Sequence, residues 1–266
     1  MEKSILKNQT KILRLAHYNI FKGGEKRIDD IFTVIREINA DIIGMLEAVS
    51  WQKNNSQIKK NIQKSGYKFY KLAIANSKYN IAILSKIPVY VRCIKNGFRH
   101  TLVQVLLKEG KYKGFCVFFV HLSPVSEEDR LKELEKVLEF VSKFPKSIIM
   151  GDFNSLSPHD TYNKEKLLSF FKNNNITKFG KENLCFEVIS KIESYGLIDA
   201  MIYLGKKFDY SVPTPYNTDI NHSMKIRVDY GFLSKKIIKR LCKTELYKTN
   251  ISNLASDHYP FFLDIK

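Results

Sequence analysis

Two polar side chains follow a short apolar segment near the middle of the chain. Residues 148–150 (Ile-Ile-Met) have the character of a buried strand, and Gly151 ends it. Asp152 and Asn154 come next with one residue between them, so on extended backbone both side chains point to the same face. Glycine, aspartate and asparagine also gather in ordinary turns. The segment therefore indicates a functional site, and not an ordinary turn, only if similar polar residues follow other strands.

A second pair of polar side chains has the chemistry of a cation site. Asn19 lies near the end of a strand predicted over residues 12–20, and Glu47 directly follows the next predicted strand, 41–46. A glutamate after a strand is more often a solvated surface acid. Beside an asparagine from the preceding strand, however, it forms a plausible pair of oxygen ligands for a hard cation.

An acid and a histidine far apart in the chain form a third pair. Asp229 lies within the apolar strand predicted over residues 227–233, where a buried carboxylate is costly without a partner. His258, in the turn Ser-Asp-His-Tyr-Pro, is the natural partner. A histidine held by a carboxylate serves as a general acid or base near neutral pH. His121 ends the apolar strand predicted over 115–120, a position that on its own is more often structural.

The hydrophobic pattern predicts the elements that must bring these groups together. The clearest helix covers residues 126–144, with Ser126 as its N-cap and three acids in its first turn. A helix between two strands favours a crossover connection within a layered α/β domain. Further strands are predicted over 67–75, 79–84, 89–94, 101–107, 197–199 and 261–265, and further helices over 27–39 and 52–64.

The segment 156–195 carries the weakest pattern of the chain. His159 and Asp160 lie in a polar loop and are expected on the surface. Helices are predicted over 164–172 and 186–195. Because no repeat or linker interrupts the order of elements, we expect one domain over the whole chain, residues 1–266.

Composition limits the class of protein. Lysine and arginine total 44 against 27 acids, a net charge of +17, and 44% of the residues are hydrophobic. This charge favours polyanionic partners such as nucleic acid, an anionic membrane surface or phosphorylated small molecules, although a lysine-rich composition also simply keeps a protein soluble. The four cysteines lack the spacing of a structural zinc site. No apolar stretch is long enough to span a membrane, and the N-terminal MEKSILKNQTK lacks a signal-like apolar region. We expect a cytoplasmic monomer.

Six polar motifs occur in order along the chain. They are NI at 19–20, LE at 46–47, VHL at 120–122, GDFN at 151–154, RVDYGFL at 227–233 and SDHYP at 256–260. Together they resemble the endonuclease/exonuclease/phosphatase superfamily, the metal-dependent phosphoesterases that include deoxyribonuclease I and neutral sphingomyelinases. The resemblance covers roughly residues 12–266. It implies an α/β four-layer sandwich, in which two mixed β-sheets pack face to face with helices on the outside and the site lies at one edge.

The resemblance also implies a metal site and a catalytic histidine. By position, Glu47 is the main metal ligand, with Asn19 and Asp257 close to the ion. Carboxylate and carboxamide oxygens suit Mg²⁺, or Mn²⁺, better than zinc. His258 is the catalytic histidine, and Asp229 is the acid that orients it.

The remaining implied roles concern water and phosphate. Asp152 positions or deprotonates the attacking water, and Asn154 and His121 hydrogen-bond the phosphoryl oxygens. Arg99 resembles a phosphate-contacting arginine of the deoxyribonuclease I branch. Attack on an anionic phosphodiester requires such charge neutralisation. Whether Asp152 or His258 takes the proton of the water stays open.

Departures from the family pattern limit which branch of the superfamily the chain resembles. Ile226 and Arg227 stand where the abasic-site endonuclease branch has a tryptophan, and the only tryptophan, Trp51, lies elsewhere. Abasic-site repair is therefore disfavoured. Met45-Leu46-Glu47 replaces the Leu-Gln-Glu of many members, which keeps the glutamate and removes a supporting glutamine.

These considerations predict a divalent-metal-dependent phosphodiesterase whose substrate is DNA or RNA. A sphingomyelinase-like or small-molecule phosphoesterase is the alternative within the same chemistry, because one fold serves many substrates. A non-catalytic nucleic-acid-binding protein on the same scaffold is the alternative from another class.

Overall fold

Alternating apolar strands and amphipathic helices build the fold in the order that the sequence predicts. The computed structural model describes residues 12–53 and 55–266, and within these twelve strands form two mixed sheets of six. The strands are β1 (Leu13–Asn19), β2 (Ile42–Leu46), β3 (Phe69–Ala73), β4 (Ile81–Ser85), β5 (Tyr90–Ile94), β6 (Leu102–Leu106), β7 (Cys116–His121), β8 (Ser147–Asp152), β9 (Leu197–Asp199), β10 (Asp229–Ser234), β11 (Leu241–Leu246) and β12 (Phe261–Ile265). The helices are α1 (Ile28–Ile38), α2 (Asn55–Lys64), α3 (Glu127–Val141), α4 (Lys164–Asn173), α5 (Glu187–Ser194), α6 (Ala200–Tyr203) and α7 (Ser252–Ala255).

The strand register brings the predicted polar positions to one edge of the molecule. The first sheet has the order β11-β12-β1-β2-β4-β3, and the second has the order β5-β6-β7-β8-β10-β9. Each contains one parallel pair, β1 with β2 and β7 with β8, and both pairs end at this edge. In the second pair His121 lies opposite Asp152, and Asp229 at the start of antiparallel β10 lies on the other side of Asp152. Three functional candidates are thus adjacent because of hydrogen-bond register alone.

Apolar side chains from both sheets fill the space between them. Leu15, Phe119, Met150 and Leu263 belong to this inner cluster and are fully buried. At its centre the sheets approach closely, because a Cβ added to Gly44 of β2 would lie 2.3 Å from the ring of Phe119.

Helices cover the outer face of each sheet. α1 and α2 pack on the first sheet, and α3 and α5 pack on the second. The order helix, sheet, sheet, helix confirms the predicted four-layer α/β sandwich.

Two expectations from the sequence differ from the structure. β11 was not predicted, because Lys243, Thr244 and Glu245 interrupt its apolar residues and leave no continuous apolar segment. It lies at the edge of its sheet, where charged side chains reach solvent. Asp160, expected on the surface, is buried and contacts Arg227, whereas His159 is exposed as expected.

The N-terminal segment MEKSILKNQTK lies outside the described residues. Of the helices in the described part of the chain, none is both long enough and apolar enough to span a membrane.

A buried arginine fixes the start of β10. Arg227 is 1% exposed, and its guanidinium lies 2.9 Å from Asp160 and 2.8 Å from Asp199. It therefore ties the loop after β8 and the end of β9 to the strand that carries Asp229. A charge buried in this way is tolerated because both carboxylates balance it.

We expect Arg227→Met to lower the free energy of unfolding by about 3–5 kcal/mol, because two carboxylates stay buried without their cation. Urea denaturation followed by circular dichroism measures the change. Lys191→Met, which breaks the exposed pair with Glu135, is the control and should cost less than about 1 kcal/mol. Equal losses in the two variants would contradict the structural role of Arg227.

Candidate functional site

A cleft of about 490 Å³ opens at the edge where the strand ends meet. It straddles the two sheets: Glu47 and His258 come from segments next to strands of the first, and His121 and Asp152 come from strand ends of the second. The polar side chains that line the cleft are Lys22, Glu47, Tyr79, His100, His121, Asp152, Asn154, Asn175, Thr177, Lys178, Thr218, Asp219, Asn221, His222, Asp257 and His258.

Glu47 stands at the first turn after β2. Its backbone is left-handed, with a φ of 61°, and its carboxylate accepts a hydrogen bond of 2.9 Å from the backbone N–H of Lys22. Burial raises the pKa of Glu47 to about 7, and the negative charges of Asp257 and Asp152 contribute. A carboxylate with a raised pKa beside two others is a group that gains from a nearby cation.

Asn19 holds two acids of the cleft together. Its amide nitrogen donates to Asp152 at 3.1 Å and lies 3.5 Å from Glu47, while its oxygen accepts the N–H of Phe21. Asn19 therefore orients Asp152 directly, and its role as a metal ligand stays a prediction.

Asp152 is the central acid of the cleft. One of its oxygens accepts the N–H of Asn154 at 2.8 Å, and the other lies 3.6 Å from His121 Nε2 and 3.9 Å from His258 Nε2. Burial raises the pKa of Asp152, and the positive charge of His258 opposes that rise. Asn154 has a left-handed φ of 50°, so the predicted alternation of side chains along extended backbone ends at Asp152, although both residues still line the cleft.

Asp229 lies between two histidines. Its carboxylate accepts a hydrogen bond of 2.8 Å from His258 Nδ1 and one of 3.2 Å from His17 Nε2. Burial alone would raise the pKa of Asp229, but the charge of His258 and these two hydrogen bonds hold it well below its ordinary value. Burial alone would lower the pKa of His258, but Asp229 and Asp257 raise it to about 10. The two groups form an ion pair that crosses from one sheet to the other.

His121 and His100 stack on each other, with ring centroids 4.4 Å apart. Burial lowers the pKa of His121 to about 3 and that of His100 to about 2. Both rings are therefore neutral at physiological pH. A neutral imidazole at the cleft wall offers one N–H donor without adding charge.

The far wall of the cleft was not predicted from the sequence. It consists of residues 175–178 and 218–222 and carries Lys178 and His222. Lys178 is 7% exposed, its ammonium lies 3.0 Å from Asn154 Oδ1 and 2.8 Å from His222 Nε2, and burial lowers its pKa to about 8.

Arg99 takes no place in the cleft wall. Its side chain is exposed, and its backbone N–H donates to Glu133 at 2.6 Å. It lies next to His100 in the segment between β5 and β6. Its predicted contact with a substrate phosphate stays a prediction.

The donor set on the Glu47 side fits a hard divalent cation. Glu47, Asp152 and Asp257 supply carboxylate oxygens, and burial raises the pKa of each. A bound cation would relieve the mutual repulsion of these charges, and oxygen donors of this type favour Mg²⁺ or Mn²⁺.

Among the described residues, the group whose donor atoms all lie within 4.8 Å of one another is a different one, His222, Asp257 and His258, whereas the three acids on the Glu47 side do not form such a group. The ammonium of Lys178 already lies 2.8 Å from His222 Nε2. A positive charge at that point opposes a second cation there.

Comparisons with known proteins identify the family and the fold. The model of the Endonuclease/Exonuclease/phosphatase family matches residues 16–258. No curated protein matches the chain significantly.

Several solved structures share the fold. A 3′ phosphatase, NExo from Neisseria, bound to a product DNA hairpin, is 16% identical with a TM-score of 0.70, covering 96% of this chain and 99% of its own. An AP endonuclease from Archaeoglobus fulgidus is 17% identical with a TM-score of 0.67, covering 96% and 99%. An endonuclease/exonuclease/phosphatase from Beutenbergia cavernae DSM 12333 is 16% identical with a TM-score of 0.67, covering 96% and 72%.

The pairing of Asp229 with His258 predicts a pH-dependent contribution to stability. The pKa of His258 rises from 6.5 to about 10 on folding, and the pKa of Asp229 falls from 3.8. The pair therefore stabilises the fold fully between about pH 4 and about pH 6.5, and less as the pH rises towards about 10. We expect the loss of unfolding free energy in Asp229→Asn, measured by urea denaturation in EDTA, to be largest near about pH 5.5 and smaller at about pH 9.

Glu135→Gln serves as the control for this experiment. Its carboxylate pairs with Lys191 on the surface, and the lowered pKa of Glu135 leaves it ionised throughout the range. Its effect should be the same at both pH values. A constant loss in Asp229→Asn over the same range would contradict the ion pair.

Proposed function

We propose, because the chain belongs to the endonuclease/exonuclease/phosphatase family, that it hydrolyses phosphodiester bonds with the help of a divalent cation. Members of this family are phosphoesterases and nucleases. The observation that carries the proposal is the convergence of Glu47, His121, Asp152 and His258 on one cleft. These side chains come from four strand ends in two sheets. If their roles were only structural, they would not need to face the same cleft.

The carboxylates and the histidines of the cleft have different roles in the proposed reaction. Asp152 is the general base, because its carboxylate faces the cleft and its pKa lies above the ordinary value. His258 stays protonated through its pairing with Asp229, so it offers an N–H and a positive charge to the phosphoryl group. His121 adds a neutral N–H donor at the same wall.

Glu47 and Asp257 would hold the cation, which would supply positive charge to the phosphate. Asn19 keeps Asp152 beside this site through its amide hydrogen bond of 3.1 Å. The base and the cation-binding acids are thus fixed relative to each other before substrate arrives, which lowers the entropic cost of the reaction.

Nucleic acid is the substrate class that we propose. The net charge of +17 favours a polyanion. Two structures with the same fold are those of a 3′ phosphatase bound to a product DNA hairpin and of an AP endonuclease, which makes DNA the first substrate to test. The tryptophan expected for an abasic-sugar pocket is replaced by Ile226 and Arg227, so we do not propose abasic-site cleavage. The monomeric state and cytoplasmic location stay predictions.

Three substitutions test the assigned roles. We expect Asp152→Asn, His258→Gln and Glu47→Gln each to lower kcat by at least ~10²-fold, because each removes a group that acts on water, phosphate or cation. EDTA should abolish turnover, and added Mg²⁺ or Mn²⁺ should restore it. His159→Gln is the control, since this exposed histidine pairs only with Glu193 outside the cleft. Near wild-type rates in Asp152→Asn or His258→Gln would refute the site assignment.

A substrate panel tests the proposed substrate class. With Mg²⁺ or Mn²⁺ we expect cleavage of plasmid DNA, single-stranded DNA or RNA, and a steep loss of activity with added salt because lysine and arginine contact the phosphate backbone. Asp152→Asn protein controls for a contaminating nuclease. Cleavage of sphingomyelin or bis-p-nitrophenyl phosphate alone would favour the sphingomyelinase-like or small-molecule alternative. Nucleic-acid binding that persists in EDTA without any turnover would favour the non-catalytic alternative.

A further inference from the structure

Lys178 is a buried cation in the wall of the cleft that none of the roles above uses. It lies in the loop between α4 and α5, is 7% exposed, and lines the same space as Asp152 and His258. Lysine is rarely buried without a partner. Its position therefore calls for an explanation in terms of what it contacts.

The hydrogen bonds of Lys178 define how its ammonium is used. Two of its three hydrogens have acceptors, Asn154 Oδ1 at 3.0 Å and His222 Nε2 at 2.8 Å. Because an ammonium only donates, His222 must accept through Nε2 and carry its proton on Nδ1, which lies 3.6 Å from Asp219. Within the described part of the chain, no other side chain or backbone oxygen accepts the third hydrogen. The ammonium also lies 4.7 Å from the centroid of the Phe179 ring, but one of its N–H groups has no oxygen or nitrogen acceptor in the described part of the chain and remains for a ligand in the cleft.

The amide of Asn154 is oriented towards Lys178 and not primarily towards the cleft. Its oxygen accepts from Lys178, and its nitrogen donates to the backbone oxygen of Leu122 at 3.0 Å. The reverse orientation would place the amide nitrogen against an ammonium and the amide oxygen against a carbonyl oxygen. The orientation is therefore set by both neighbours. Asn154 holds the ammonium next to Asp152, which it also contacts through its own backbone N–H.

The backbone of Lys178 is fixed as firmly as its side chain. Arg130, fully buried in α3, donates to the backbone oxygens of Lys178 and of Ser123 and pairs with Glu127. Phe179 stacks on Phe171 of α4 with ring centroids 5.0 Å apart. The loop that carries the ammonium is therefore anchored to two helices, and a charge held in this way needs no reorganisation when a ligand binds.

We propose that Lys178 is a built-in phosphate-binding cation, whose ammonium, held by Asn154 and His222, faces the phosphoryl group in the cleft where Glu47 and Asp257 would hold the divalent cation. This inference rests on the proposed function, because it assigns a further group to the same site. The ligand is the anionic phosphoryl group of the substrate. The single charge of Lys178 acts as a point donor to one phosphoryl oxygen.

The first test measures phosphate binding in the absence of metal. Inorganic phosphate is titrated in EDTA into the wild type, Lys178→Met and the control Lys172→Met, and binding is followed by calorimetry. Lys172 is matched in charge, but it pairs with Glu182 on the surface of α4, outside the cleft. We expect Lys178→Met to weaken phosphate binding at least ~10-fold and Lys172→Met to leave it unchanged, as loss of a charge-assisted contact predicts. Equal affinities in the three proteins would overturn the proposal.

The second test measures turnover of the phosphodiester substrate. We expect Lys178→Met to lower kcat by ~10²-fold with a melting temperature near that of the wild type, and Lys178→Arg to retain part of the rate. Added methylammonium should restore activity to Lys178→Ala, since a small amine occupies the vacated position; a purely structural lysine would give no such rescue. If Lys178→Met unfolds, Lys178→Arg and the rescue experiment still decide, and no rescue with an unchanged Arg variant would count against the proposal.

The outcomes separate this inference from the proposed function. Turnover by the wild type with an unaffected Lys178→Met variant would refute the role of Lys178 and leave the phosphodiesterase in place. Lys178-dependent phosphate binding in a wild-type protein that hydrolyses no substrate of the panel would refute the proposed function and support Lys178 as an anion-binding group.

Discussion

Four carboxylates, those of Glu47, Asp152, Asp229 and Asp257, converge at one edge of the sandwich, and their mutual repulsion is the constraint on which the rest depends. Burial makes such a cluster unfavourable unless positive charge lies close by. The chain provides that charge unevenly. His258 balances Asp229, and the charge of Lys178 offsets part of the rise that burial causes in the pKa of Asp152, whereas Glu47 and Asp257 both line the cleft with raised pKa values. The remaining imbalance lies where a divalent cation is expected to bind, so folding and metal binding draw on the same electrostatic balance.

The hydrophobic pattern of the sequence was sufficient to predict most strands and the main helices, whereas the four-layer arrangement was implied by the resemblance to the family. Continuous apolar segments and one well-capped helix are local signals, and local signals determine where buried strands and amphipathic helices form. β11 was not predicted because this edge strand, with lysine and threonine among its residues, has no continuous apolar segment. Asp160 was misplaced because its burial depends on Arg227, which lies 67 residues further along the chain.

Some residues of the candidate site could be predicted from the sequence, and others could not. Residues in short ordered motifs, such as Asp152, Asn154 and His258, could be found from the sequence because the motif and the strand end coincide. His17 could have been found too, since it lies two positions before Asn19 on β1 and so shares its face. Lys178 carried no signal, being one of many lysines in a segment of weak pattern. Its position depends on Arg130, which donates to its backbone oxygen, and on the stacking of the neighbouring Phe179 on Phe171, and both contacts form only in the folded chain.

Gly44 and Phe119 set the separation of the two sheets at the centre of the sandwich. Asn19 contacts Asp152, and His258 contacts Asp229, across that same separation. The distance between the sheets therefore also determines the distances between the side chains of the cleft. A bulkier side chain at position 44 would act as a wedge between the sheets. It would move the cleft residues of one sheet away from those of the other. The substitution itself would lie outside the cleft and would change none of the groups that take part in the chemistry.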